Sequence, residues 1–256
     1  MNRKLKINHH SVSIIPYHID LENNLHFILE QKDSNYKAPY FNNGLNFIGG
    51  NWQKGVHSEK SPKETLEREI NEEFWNQYEA PESLNDILRE EFLKTRYEIM
   101  AKYNIQSIEQ IKVIGQILLD EAQHLDDYMI TVPPPIMNDE LIYLSSIFSK
   151  KLSLDEFQTI NEVLNEFEGV VTTDNLKWNS KVVSVSLDDI NSQGMKFAWG
   201  YDKIINQLKS HIPPIKEGII MPSELINIEK INPLQKIESS TYQMYERKGM
   251  QYVANK

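Results

Sequence analysis

Apolar and polar positions alternate through "SVSIIPYHID" (Ser11 to Asp20) and "LHFILEQKD" (Leu25 to Asp33), two runs rich in β-branched and aromatic residues and separated by the polar "LENN". The pattern predicts a hairpin or two neighbouring strands. Pro16 has no amide hydrogen to give a ladder, which predicts an edge or a bulge in the first run. Residues Ser34 to Lys60 read as loop, with one short strand around Leu45 to Ile48 running into Gly49-Gly50, where paired glycines let a strand leave its sheet and let a ligand approach closely.

Helical spacing takes over at "SPKETLEREINEEF". Ser61 is a good N-cap, Pro62 suits the first helical position, and Glu64 stands where its side chain can return to the Ser61 amide. Leu66, Ile70 and Phe74 recur every four residues and predict one buried stripe, which sets the register. Residues from Glu79 to Lys112 read as mostly helical. "IKVIGQILLDEAQ" and "DYMITVPPPIM" read as two strands, the second ended by Pro133 to Pro135. Ser153 and Glu156 are in capping-box spacing, followed by Phe157, Ile160, Val163, Leu164 and Phe167, so a packed helix is expected up to Gly169. "KVVSVSLDDI" predicts a strand and a turn, and "FAWGYDKIINQLKSHI" a last amphipathic helix stopped by Pro213-Pro214. The segment from Lys216 onward reads as irregular structure or an arm.

Composition narrows the function classes. With 256 residues, 40% hydrophobic and 25% charged, the chain is a folded globular protein of one elaborated domain or two small ones; the first is favoured. Its 37 acidic against 27 basic side chains, net −10, work against a nucleic-acid or anionic-membrane partner. The absence of cysteine excludes disulfides, thiolate catalysis and zinc fingers. The apolar run from Val12 to Pro16 is too short for a signal segment or a membrane span, and a cytoplasmic protein is expected.

The chemistry concentrates on the acidic helix. Its register places Glu69, Glu72 and Glu73 at i, i+3 and i+4, three carboxylates on adjoining positions whose mutual repulsion a hard divalent ion would relieve. A solvated helix balanced by Lys63 and Arg68 is the alternative, and Arg68 can brace one of these carboxylates or pair on the surface.

The order of strand, Gly-Gly, loop and capped acidic helix resembles the Nudix hydrolase family, whose signature is GX5EX7REUXEEXGU, U being aliphatic. "REINEEF" (Arg68 to Phe74) matches the REUXEEX core at every defined position, and "SPKETLE" fills the seven-residue spacer. The first signature glutamate falls on Lys60, one place after Glu59, the Gly50 to Lys60 interval is four residues longer than the signature's, and the closing positions fall on Trp75 and Asn76.

The resemblance implies an α/β/α sandwich with a mixed sheet over residues 1–212, helical insertions near 79–112 and 138–179, and a C-terminal extension at 213–256. It also implies hydrolysis, dependent on Mg²⁺ or Mn²⁺, of the pyrophosphate bond in a nucleoside diphosphate derivative such as ADP-ribose or a nucleotide sugar. Glu69, Glu72 and Glu73 carry over as the catalytic residues and metal ligands, with Gly50 beside them in the metal site. Asp120, Glu121, Glu166 and Glu168 are candidate bases, and Tyr40, Phe41, Trp52 and Trp178 are candidates to stack on a nucleobase. His57 is a candidate phosphate contact. His9 and His10, adjacent on a strand, point to opposite faces and do not share a metal. The partner expected is a small-molecule nucleotide, with a homodimer left open. A non-catalytic nucleotide-binding or protein-interaction module of the same fold is the rival, favoured by Lys60, Trp75 and the lengthened loop.

Overall fold

The computed structural model describes residues 9–34, 36, 39–52, 59–74, 94, 108–134, 136, 141–166, 170–171, 180–208, 211–212 and 225–230. In chain order the elements are β1 (His9–Ile19), β2 (Leu25–Gln31), a 3₁₀ turn (Pro39–Phe41), β3 (Leu45–Asn46), β4 (Ile48–Trp52), α1 (Pro62–Glu73), α2 (Ile108–Leu119), β5 (Gln123–Val132), β6 (Leu141–Lys151), α3 (Leu154–Glu166), β7 (Val170–Val171), β8 (Lys181–Ser186), α4 (Leu187–Ser192), α5 (Tyr201–Gln207) and β9 (Asn227–Lys230).

Among the described residues nine strands make one mixed sheet, in the order β7-β8-β2-β1-β6-β5-β9, with β3 joined to β2 and β4 to β1. Only β1 and β6 pair in parallel. Successive residues of β1 serve opposite faces, as a pleated strand requires. Val12 and Ile14 pack with Leu66, Ile70 and Phe74 of α1, Ile111, Ile114 and Leu118 of α2 and Ile160 and Val163 of α3. Ile15 and Tyr17 pack with Ile190 of α4 and with Tyr201, Ile204 and Ile205 of α5. The fold is therefore an α/β/α sandwich with helices on both faces of a mixed sheet, as expected. No helix among the described residues is long and apolar enough to cross a membrane.

The β1–β2 hairpin is present, but β1 is central and not an edge. Pro16 is tolerated because β1 changes partner there: β4 pairs with it from His10 to Ile14 and β2 from Tyr17 to Ile19. Residues 15 and 16 fall in the gap between the two antiparallel ladders, where a missing amide hydrogen breaks neither. Beyond that gap β2 diverges, and the β3–β4 ribbon fills the opening with Leu45 and Asn46 on β2 and Ile48 to Trp52 on β1. The Gly49-Gly50 pair lies inside β4, so the strand continues through it to Trp52 and does not exit the sheet at the glycines.

Two further expectations are corrected. "IKVIGQILLD" is the body of α2 and not a strand: its buried Ile111, Ile114 and Leu118 follow helical spacing, which its β-branched content had obscured. The stretch 138–179, expected as an insertion, carries β6, which pairs with both β1 and β5 near the middle of the sheet, so this part is framework. The expected helix after it is present with a reciprocal capping box: the Glu156 amide donates to Ser153 Oγ (3.2 Å) and the Ser153 amide to Glu156 Oε2 (2.7 Å). The C-terminal segment supplies β9, an edge strand on β5. The stretch 79–112, apart from residues 94 and 108–112, lies outside the described residues.

One group in this framework opposes folding at neutral pH. Asp202, on α5, is fully buried, and neither carboxylate oxygen makes a hydrogen bond of normal geometry among the described residues. Burial raises its pKa to about 6, with only partial relief from the Lys203 amide and ammonium. The folded state thus holds this proton to higher pH than the unfolded chain, whose value is 3.8, and the penalty is absent below that value and complete above about 6. Asp202→Asn is expected to raise stability at pH 7 by about 1–2 kcal/mol, after discounting for solvent screening, and to leave it unchanged near pH 3.5. Urea unfolding at the two pH values measures this.

Candidate active site

α1 is where the chemistry-bearing residues meet the sheet. Ser61 caps it, its Oγ accepting from the Glu64 amide at 3.2 Å, while Glu64 Oε2 reaches one residue further back than expected, to the Lys60 amide (2.9 Å). Leu66, Ile70 and Phe74 are almost completely buried, as their spacing predicts. Burying each contributes on the order of 1.5–3 kcal/mol, against the few tenths that like-charge neighbours cost on a helix, so the apolar stripe outweighs the acidic face.

The stripe turns Glu69 and Glu73 inward, at 4% and 3% exposure, and leaves the Glu72 side chain 47% exposed. The Glu69 carboxylate lies on Gly50: a Cβ built there would fall directly on its oxygens. Gly50 faces α1 because it stands opposite Val12, whose side chain belongs to the same face of the sheet. Glycine thus permits a carboxylate to rest against the backbone of β4.

Arg68 organises the acidic side chains. Its Nε donates to Glu59, its Nη1 to Glu72 Oε2 at 2.9 Å, and its Nη2 to Glu69 Oε1 at 2.7 Å and to the Asn51 carbonyl at 3.1 Å. It therefore braces and pairs at once, tying α1 to β4. Burial works against its charge, but Glu69, Glu72 and Glu59 outweigh that and hold its pKa above the ordinary value. Glu59 is a site residue that sequence reasoning passed over, although it stands next to the position where the signature places its first glutamate.

A second cation approaches from β2. Lys32 is buried, with its Nζ 2.6 Å from Glu30 Oε2 and 5.0 Å from the centre of the Tyr36 ring; Asn46 Nδ2 donates to the same Glu30 oxygen at 3.0 Å. Burial opposes the ammonium, but Glu30, Tyr36 and Glu73 together raise its pKa. The signal was present in "LHFILEQKD", where charged Glu30 and Lys32 continue the face begun by apolar Ile28.

Asp120, Glu121 and Glu166 are exposed, and Glu166 accepts from Gln110 at 3.0 Å. Glu168, Trp178 and His57 lie outside the described residues. Trp52 is buried on β4, opposite His10. Phe41 is buried, and Tyr40, 42% exposed, joins it with Pro39, Gly44, Lys196 and Phe197 around a cavity of about 260 Å³. Among the described residues no three His, Asp or Glu side chains are grouped as a metal site. No family model matches the chain, and no curated protein matches it.

The two glycines of β4 should respond differently to substitution. At Gly50 an added methyl meets only the end of the Glu69 side chain, so Gly50→Ala is expected to fold with a loss under about 1.5 kcal/mol while displacing Glu69. At Gly49, φ is +146° and a Cβ would strike the Val12 carbonyl and the Ser13 backbone, so Gly49→Ala is expected to lose about 3 kcal/mol or more. Thermal and denaturant unfolding of both variants tests the contrast.

Proposed function

We propose that the protein hydrolyses the pyrophosphate bond of a nucleoside diphosphate derivative, such as ADP-ribose or a nucleotide sugar, with Mg²⁺ or Mn²⁺ as cofactor. The observation that carries this reading is the Glu69 carboxylate resting on Gly50, with Glu73 buried one turn along the same helix. Together with the "REINEEF" core, this supports the resemblance to Nudix hydrolases.

The residues suit a hard divalent cation. Such ions take oxygen donors, and Glu69 and Glu73 are carboxylates held in place by packing, with Glu72 at the exposed margin. Glu69, Glu72 and Glu73 would hold the ion, with Gly50 leaving space beside Glu69. When bound, the ion supplies neutralisation of phosphate charge and a more acidic water. Arg68 pairs with Glu69 and Glu72 and orients them, and Glu59 restrains Arg68 in turn. Glu73, with Glu30, favours the charged form of the buried Lys32 beside this helix.

A specific observation favours a second reading, a nucleotide-binding or interaction module without turnover: Arg68 already neutralises Glu69 and Glu72, and the described acidic residues are not grouped as a metal site. Incubation with Mg²⁺ or Mn²⁺ and a panel of ADP-ribose, NAD, dinucleoside polyphosphates, nucleotide sugars and nucleoside triphosphates separates the two. Hydrolysis is expected on at least one diphosphate-linked compound, and Glu73→Gln should lower kcat/KM roughly 100-fold, equivalent to about 2.7 kcal/mol of transition-state stabilisation. Nucleotide binding without turnover, unchanged in Glu73→Gln, would establish the module.

A further inference from the structure

One guanidinium holds three carboxylates of the candidate site together. Arg68 Nη1 donates to Glu72 Oε2 at 2.9 Å, Nη2 to Glu69 Oε1 at 2.7 Å and to the Asn51 carbonyl at 3.1 Å, and Nε to Glu59. Solvent reaches the cluster, because the Glu72 side chain is 47% exposed and that of Arg68 20%, whereas Glu59 and Glu69 are nearly buried. A planar fork of five N–H groups serves several carboxylates at once, where a lysine ammonium acts as a point charge.

Glu69 and Glu72 are also two of the three side chains proposed to hold the divalent ion, so the same carboxylates answer to two cations. The two uses oppose each other. A hard divalent ion requires carboxylate oxygens and is repelled by a fixed positive charge beside them, and Arg68 already compensates part of their negative potential. Without any cation, a carboxylate buried as deeply as Glu69 carries a large desolvation penalty. Arg68 therefore stabilises the metal-free form above all. By linkage, whatever favours that form alone weakens binding of the ion by the same factor. Glu59, in the loop before α1, and the Asn51 carbonyl on β4 engage the guanidinium from outside the turn of helix that carries Glu69, Glu72 and Glu73. They give Arg68 partners that persist when Glu69 and Glu72 turn to another cation.

Resting on the hydrolase reading above, we infer that Arg68 is a built-in counter-ion that occupies the carboxylates of the metal-free protein and sets the affinity for Mg²⁺ or Mn²⁺ by competition. Glu59 is its second anchor, retaining the guanidinium while Glu69 and Glu72 pass to the ion. Arg68 thus governs metal loading and is not a catalytic residue.

The test uses the full chain and Mn²⁺ alone, with binding read by electron paramagnetic resonance of the free ion and by the rise in Tm that the ion causes. Arg68→Gln is expected to lower the Tm of the metal-free protein and to bind Mn²⁺ about tenfold more tightly than the wild type. Arg68→Lys keeps the charge without the fork, and its affinity should lie between the two. A merely structural role for Arg68 predicts the opposite sign, since carboxylates set loose bind an ion less well. In the wild type, the guanidinium ¹⁵N signals of Arg68 should shift at a Mg²⁺ concentration that displaces Mn²⁺. Unchanged or weaker Mn²⁺ binding by folded Arg68→Gln, or Arg68 signals that stay fixed in that titration, would overturn the inference and leave the hydrolase reading intact. Mn²⁺ binding by neither the wild type nor Arg68→Gln would overturn both.

Discussion

The contact on which the rest of the arrangement depends is that of the Glu69 carboxylate with the bare backbone of Gly50. A buried carboxylate is tolerated only where hydrogen bonds and opposite charge replace its water. Arg68 supplies both, and by also donating to the Asn51 carbonyl it makes the same guanidinium the bond between helix and strand. The apolar stripe of Leu66, Ile70 and Phe74 provides the energy that presses these groups together. Helix register, glycine position and arginine fork are thus one constraint seen from three sides.

That constraint exists because the sheet opens. β1 gives up β4 as a partner at Ile14 and takes β2 from Tyr17 onward, and the ribbon of β3 and β4 occupies the space between. The ribbon carries Gly50 under α1 and Asn46 onto Glu30, so Glu69 of the acidic helix and the Glu30–Lys32 pair both rest against the same ribbon. On the other side of β1, the parallel pairing with β6 brings Ser146 alongside Val12. α1 and the buried pair His10 and Ser146, 2.8 Å apart, therefore share one face of the sheet, although they come from distant parts of the chain.

Local signals in the sequence were read where they were self-contained. Ser61, Pro62 and the four-residue spacing of Leu66, Ile70 and Phe74 define α1 without outside information, because capping and burial act within three turns. The capping pair Ser153 and Glu156 did the same for α3. α2 was misread because isoleucine and valine fill it, and in a short apolar run β-branching competes with periodicity as a signal. β6 was missed because "LIYLSSIFSKK" is buried on both faces and shows no alternation, the signature of a central strand flanked on both sides. Spacing on α1 set Glu69, Glu72 and Glu73 on adjoining positions, and the packed stripe turns Glu69 and Glu73 inward and leaves Glu72 exposed. The contacts of Glu59 with Arg68 and of Asn46 with Glu30 depend on how a loop and a neighbouring strand fold back, which spacing along one segment does not encode.

β9 has a consequence beyond its own four residues. β5 is a ten-residue strand, and without a neighbour on its outer side it would offer a row of free amides and carbonyls to any other extended chain. β9 occupies that row from Tyr128 to Thr131, and Lys230 adds a charged clasp to Asp126 at 2.7 Å. A short, charged ribbon of this kind is a gatekeeper that leaves these four positions of β5 no free ladder for edge-to-edge polymerisation.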